Sequence, residues 1–352
     1  MKILVIQQKM IGDVLTSSIL FEALRKKFPE AELHYLIYPH TFPVIENNPY
    51  IDKVVFFDPE KDKTPQEFLL FQKKIRSENY DVVLDVYSMI STAVIAKASG
   101  AKIRAGYGKK YTKFLYTHNF KYKKKVETKA GLAVENRMLL LKAISKDFPV
   151  EINPKIYLTS KEMEAAEAFL RQHQLKRDKP VIMMSILGSS DEKTYPLEYM
   201  AQIMDFIVET TGAQILFNYI PRQKEKALKL YELCNARTKV KIFPEAFAPD
   251  LRKFLALTKR CNAVIGNEGG CINMAKALDV PTFSIFSPQI TKEAWSLYEN
   301  DQNVAVHFYD FLSSYDISKK DLKKQSSDIY NQFKPRYILP KLAEFLGNLK
   351  IS

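Results

Sequence analysis

Cysteine is scarce. The 352 residues hold three, Cys234, Cys261 and Cys271, an odd number with no metal-ligand spacing. That excludes a disulfide framework and fits reduced thiols in a reducing compartment. The five histidines, His34, His40, His118, His173 and His307, form no ligand pair at helical spacing, so no metal site is read from them. Long apolar runs are also missing. None approaches the ~20 residues needed to span a bilayer. The apolar stretch after Lys2 runs into polar QQK after about five residues, and no signal peptide is read there. The expectation is a cytoplasmic protein. The dinucleotide fingerprint G-x-G-x-x-G is absent after the first apolar segment, where QKMIGD stands, which argues against a nicotinamide dehydrogenase. No RNP, zinc or helix-turn-helix signature is present, so no specific nucleic acid is expected as partner.

What is there is ordinary for a globular protein: 46% hydrophobic and 26% charged residues. The length exceeds one ordinary core and predicts two domains. The net charge of +13 suits a polyanionic partner. Much of it is local, in KKYTK (109–113) and KYKKK (121–125). Two readings stay open: a solvated edge defended by lysine, or a surface that approaches anionic lipid or phosphate.

Residues 2–7 read as a strand covered on both faces, because apolar residues follow one another without alternation. From Val14 the spacing turns helical, up to Pro29. Between them the loop brings Asp13 to the start of that helix, at or near its N-cap. An Asp there accepts the orphan N–H groups of the first turn. It also leaves the carboxyl end of a first strand, where open parallel sheets place their ligands. Strands at 33–38, 53–57, 81–86 and 103–107 alternate with helices. After a linker, PVEINP at 149–154, the rhythm restarts with strands at 180–187, 213–217, 240–243, 263–265 and 282–286. The fold class expected is α/β, two Rossmann-like domains with parallel sheets, over 1–152 and 153–335. A terminal helix over 336–350 is expected to complete the first domain. Two such halves imply a cleft between them, with both first strands pointing into it.

Two loops in the second half carry chemistry. GSSDEKTYP (188–196) leaves an apolar strand; Gly188 permits close backbone approach, Ser189 and Ser190 offer hydroxyls, and Lys193 offers a compact charge for phosphate. It lacks the ending of a Walker loop, and a plain polar turn remains the alternative. IGNEGGCINMAKALDVP (265–281) enters on a strand and leaves on a helix. Free N–H groups at the helix start suit an anion. Glu268 can accept ribose hydroxyls, as acidic residues do in dinucleotide folds. The alternative is a tight turn in which Gly269 and Gly270 supply positive φ.

Together MIGD (10–13), DEKTYP (191–196) and GNEGG…N…AKALDVPTFSIFSP (266–288) resemble the lipopolysaccharide heptosyltransferases, glycosyltransferase family 9, over nearly all of residues 1–290. The resemblance implies a GT-B fold and an inverting transfer of a sugar, usually from ADP-heptose, to a lipid-linked saccharide of the lipopolysaccharide core or a related cell-envelope glycolipid. It implies Asp13 as catalytic base. Lys193 would bind the donor phosphates, with Gly188, Ser189 and Ser190 in the same loop, and Glu268 would hold the ribose, with Gly269, Gly270 and Asn273 beside it. Lys9, Gly12 and Arg104 fall on the acceptor side. No metal and no cofactor beyond the nucleotide-sugar co-substrate is implied, since lysine and helix N-termini can stabilise a leaving diphosphate. A monomer at the inner membrane face is the expected state. The chain departs from the family's Asp-Thr-Gly and helical His, having Glu268-Gly269-Gly270 and Asn273 instead. Asn can hydrogen-bond but carries no charge. The competing reading is a non-catalytic nucleotide- or nucleic-acid-binding protein.

Overall fold

The computed structural model describes residues 1–62, 64–149, 152–176, 178–312 and 326–349. The chain divides into two compact units, Met1–Tyr157 and Leu158–Ser352. The linker read at 149–154 and the end of the helix read at 336–350 fall partly outside the described residues.

The first unit is a six-stranded parallel sheet in the order β3-β2-β1-β4-β5-β6. Its strands are β1 (Lys2–Ile6), β2 (Glu32–Ile37), β3 (Lys53–Phe56), β4 (Val82–Asp85), β5 (Ile103–Tyr107) and β6 (His118–Phe120). β1 lies centrally, with Ile3, Leu4, Val5 and Ile6 all fully buried. That burial explains the absence of a polar alternation in its sequence. Ile6 pairs in register with Leu36 on one side and Asp85 on the other. The strand order reverses between β1 and β4, so the ligand position expected for such a sheet is at the carboxyl ends of those two strands.

The second unit is a five-stranded parallel sheet in the order β11-β10-β9-β7-β8. Its strands are β7 (Val181–Ser185), β8 (Gln214–Asn218), β9 (Ala263–Asn267), β10 (Thr282–Phe286) and β11 (Asn303–His307). Here the order reverses between β7 and β9. The strand expected at 240–243 is reduced to one bridge, Ile215 to Ile242. Flanking helices close with ordinary chemistry: Leu197–Thr211 ends on Gly212, whose φ of 66° is the left-handed stop a glycine supplies.

The terminal helix corrects an expectation. Pro335–Gly347 does not complete the first domain; its Ile338, Leu342, Phe345 and Leu346 sit in the same apolar cluster as Met200, Met204 and Phe283 of the second unit. Phe345 packs on Phe283 with ring centroids 5.6 Å apart. Among the described residues, no helix is long and apolar enough to cross a membrane.

Candidate functional site

The first half-site forms after β1 and β4. The helix starts earlier than its spacing predicts, at Ile11, and runs to Ser17; a second helix follows at Ile19–Lys27. The N-cap is Met10, with φ 49°, and no side chain caps the helix. Asp13 is therefore the third helical residue and not the cap. Its carboxylate turns instead to Arg137, whose Nη2 donates to Oδ1 at 2.6 Å. Arg137 is held on the helix Leu132–Leu139 by donating from Nε to Ser17 Oγ at 2.8 Å and from Nη1 to the Ala133 carbonyl at 2.7 Å. The arginine side chain is 8% exposed and Asp13 28%, so the pair is anchored in the protein and opens to solvent on the carboxylate side. Oδ2 of Asp13 has no partner among the described residues.

Asp85 ends β4, where it pairs in register with Ile6 at the end of β1. It is fully buried and accepts from the Ser88 backbone N–H at 2.8 Å and from the Tyr116 hydroxyl at 2.7 Å. Burial pushes its carboxyl up to about 6. Tyr107 stacks on Tyr122 with ring centroids 3.9 Å apart, and its hydroxyl donates to the Asn136 carbonyl. Burial also raises the Tyr122 phenol, with the charges of Arg137, Asp85 and Asp13 acting on it. Gly12 contributes a carbonyl to Thr16 Oγ1 at 2.8 Å, and Lys9 is exposed in the loop.

Arg104 does not join them. It is the second residue of β5, and its guanidinium donates to the carbonyls of Leu115 at 3.1 Å and Ala101 at 2.5 Å. Ala101 precedes the strand, so this arginine ties down the amino end of the sheet.

The second half-site forms after β7 and β9. The loop after β7 folds back on itself: a Cβ on Gly188 would lie 2.3 Å from the Lys193 carbonyl, so only glycine fits. The Gly188 N–H donates to Thr194 Oγ1 at 3.0 Å, and Tyr195 N–H to Asn267 Oδ1 at 2.7 Å, which ties this loop to the end of β9. Ser189 and Ser190 are exposed, and Lys193 is half-buried at the end of a short turn, Asp191–Lys193. Asp191 pairs with Lys226.

In the glycine-rich turn the positive φ values fall on Gly266 (133°) and Gly269 (148°), not on Gly270, which begins the helix Gly270–Ala277. A Cβ on Gly266 would meet the Ser185 carbonyl at 2.3 Å. Glu268 is half-buried. Burial raises its carboxyl, and the nearby Lys193 charge opposes that rise. Lys193 and Glu268, 75 residues apart in the sequence, thus act on one another. Asn273 is half-buried on the first turns of the helix.

Sequence reasoning missed several groups on this edge. Gln289 Nε2, His307 Nε2 and Tyr330 Oη are buried with no hydrogen-bond partner among the described residues. Glu268 acts electrostatically on Tyr330, whose phenol burial raises strongly. Arg137 and Asp85 were missed in the first unit. An acid ending a run of buried apolar residues was a readable signal for Asp85; nothing local marked Arg137. Among the described residues, no group of three His, Cys, Asp or Glu is placed to hold a metal ion.

The family model of glycosyltransferase family 9 (heptosyltransferase) matches residues 68–323. By sequence, the chain is 25% identical over 292 residues to lipopolysaccharide heptosyltransferase 1 of Campylobacter coli, covering 81% of this chain and 84% of that one. By structure, a glycosyl transferase family 9 protein from Veillonella parvula superposes with a TM-score of 0.74 at 20% identity, over 94% of this chain and 97% of that one. The E. coli ADP-heptose LPS heptosyltransferase II gives 0.69 at 17% identity, over 95% and 99%. E. coli heptosyltransferase WaaC, solved with ADP-2-deoxy-2-fluoro heptose, gives 0.65 at 16% identity, over 95% and 98%.

Proposed function

Because the chain belongs to glycosyltransferase family 9, the heptosyltransferases, and has their GT-B fold, we propose that it transfers a heptose or related sugar, with inversion, from an ADP-linked donor to a lipid-linked saccharide of the cell envelope. The observation that carries the reading is the state of Asp13. One carboxylate oxygen is pinned by Arg137 and the other has no partner among the described residues, at the point where the first sheet's strand order reverses. In this reading Oδ2 accepts the proton of an acceptor hydroxyl. The oxygen bonds to the anomeric carbon from the face opposite the leaving group. The bond from that carbon to the diphosphate oxygen breaks, and the electron pair leaves with ADP.

The second unit supports the donor half of the proposal. Lys193 brings a positive charge to the loop after β7, and the helix at Gly270 presents free N–H groups for the diphosphate. Glu268, which feels the charge of the same lysine, takes the ribose hydroxyls, with Asn273 on the helix that follows. Buried polar atoms at Gln289, His307 and Tyr330, without partners among the described residues, fit a site whose remaining hydrogen bonds come from a ligand. The step as written uses no metal and no further cofactor. Work at the inner membrane face follows from a lipid-linked acceptor.

The test is Asp13→Asn with ADP-heptose and a lipopolysaccharide-core acceptor. The variant is expected to fold and to keep the rise in Tm that ADP gives, while turnover falls at least ~100-fold, the usual scale of a lost general base. Retained turnover removes Asp13 from the base role. No Tm shift with ADP in the native protein removes the donor site.

A further inference from the structure

The net charge of the protein is not spread over its surface. Between Val86 and Val126 the chain has ten Lys and Arg and not one Asp or Glu, against a net charge of +13 for the whole. This segment leaves β4 and passes through β5 and β6, and the fold sets exposed apolar side chains among its lysines. Met89 and Ile90, at the start of the helix Ile90–Ala98, are 42% and 60% exposed. The turn Lys113–Leu115 packs on that helix and leaves Phe114 71% exposed, with Tyr111 at 55%. Lys109 fastens the two parts together: its Nζ donates to the Ser88 carbonyl at 2.8 Å and lies 3.7 Å from the Met89 sulfur. Lys110 and Lys113 are exposed and in no ion pair among the described residues.

A single exposed Ile or Phe needs no explanation, but four large apolar side chains on one surface do. Their chemistry also selects the partner. A nucleic acid would use the lysines and a stacking aromatic, yet gains little from Ile90 and Met89. Acyl chains gain from all four, and lipid phosphates gain from the lysines, whose stems lie along the apolar surface while their ammonium groups stay in water. We propose that the first unit docks on an anionic bilayer through Met89, Ile90, Tyr111 and Phe114, with Lys110 and Lys113 against the lipid phosphates. This deepens the reading of a lipid-linked acceptor and rests on it. Met89 and Lys109 follow β4 and β5 at the carboxyl edge of the sheet, the edge that also carries Asp13, so a headgroup held at that end of the patch lies on the side of the proposed base.

The experiment is flotation of the whole protein with vesicles of 30% phosphatidylglycerol in phosphatidylcholine, and with phosphatidylcholine alone, at 0.15 M salt. Binding is expected to the anionic vesicles, weakened at 0.5 M salt as the lysine contribution is screened. Each lysine contributes about fivefold near such a surface, so Lys110→Glu with Lys113→Glu should lower partitioning at least ~20-fold. Ile90→Ser with Phe114→Ser should lower it at least ~10-fold. All four positions are exposed, so Tm and the ADP-induced Tm shift should stay unchanged in both variants. Three results overturn the proposal: no binding by the native protein, equal binding to neutral vesicles, or unchanged binding by the variants. Tight binding to a duplex oligonucleotide with the vesicles ignored does so too. The assay contains neither donor nor acceptor, so its failure is separable from a failure of the transferase reading, which shows as absence of the ADP shift.

Discussion

Asp13 and Arg137 are 124 positions apart in the chain and 2.6 Å apart in the fold. The arginine does two things at once. It fixes the direction of a carboxylate that no cap hydrogen bond holds, and it closes the first helix onto Leu132–Leu139 through Ser17. A lysine can supply the charge but not the fork that reaches Asp13, Ser17 and the Ala133 carbonyl together. Arg137→Lys is therefore expected to lower kcat at least ~10-fold while leaving the KM for the ADP-linked donor near its native value. Steady-state kinetics with donor and acceptor varied separately check this; a rise in donor KM alone would remove Arg137 from the positioning role. Asp85 makes a different prediction. Its carboxyl is raised to about 6 in the fold by burial, with Tyr116 and the charge of Lys109 acting against that rise. As pH climbs from about 4 to about 6, the unfolded chain gives up this proton first and the folded chain keeps it. Folding stability contributed by the group is thus fully present below the unfolded value and lost toward neutral pH, by up to ~3 kcal/mol. Asp85→Asn keeps the shape and has no charge to bury. In urea melts the variant should match the native protein near pH 4 and exceed it increasingly up to pH 7, and parallel pH profiles would refute the account.

At the scale of elements, what was legible follows from burial. β1, β4 and β7 are covered on both faces, so their sequences carry continuous apolar runs and stand out. β6, with the sequence HNF and two exposed residues of three, has no such run and was not read; it exists because the edge of β5 offers partners. The segment at 240–243 shows the converse, since Ile242 is its one buried residue and supports only a bridge. The terminal helix had a readable apolar stripe, but a stripe reports that a face is buried and not against what. The same limit hid Arg137. The loops with glycine were legible because a steric requirement is local. Gly188 is the clearest case: a methyl group there would overlap the Lys193 carbonyl, a backbone atom that moves only with its loop. Gly188→Ala is expected to weaken ADP binding at least ~10-fold by displacing Lys193, with little change in the far-ultraviolet circular dichroism; calorimetric titration with ADP decides it.

Over the whole molecule, two sheets of different strand order each put their polar chemistry where that order reverses: Asp13 and Asp85 after β1 and β4, Lys193 and Glu268 after β7 and β9. Most of the excess positive charge lies in the first unit, where the segment between Val86 and Val126 has ten Lys and Arg and no Asp or Glu. The proposed division of labour therefore assigns a small anionic donor to one unit and a large anionic surface to the other. Hydrogen exchange of the intact chain separates them. Saturating ADP at 100 times its Kd stabilises groups that must open with the site by up to ~2.7 kcal/mol, about 100-fold in exchange rate. That protection should be largest at 188–196 and 266–273. Anionic vesicles should instead slow exchange at 109–115 and leave those two loops unchanged. The observable is local because each ligand protects only backbone whose opening it opposes, so the two maps should differ in place and not merely in size. Protection by ADP that is largest within 86–126 would mean that the lysine-rich surface, and not the Lys193 loop, is the nucleotide site, and would reverse the roles proposed for the two units.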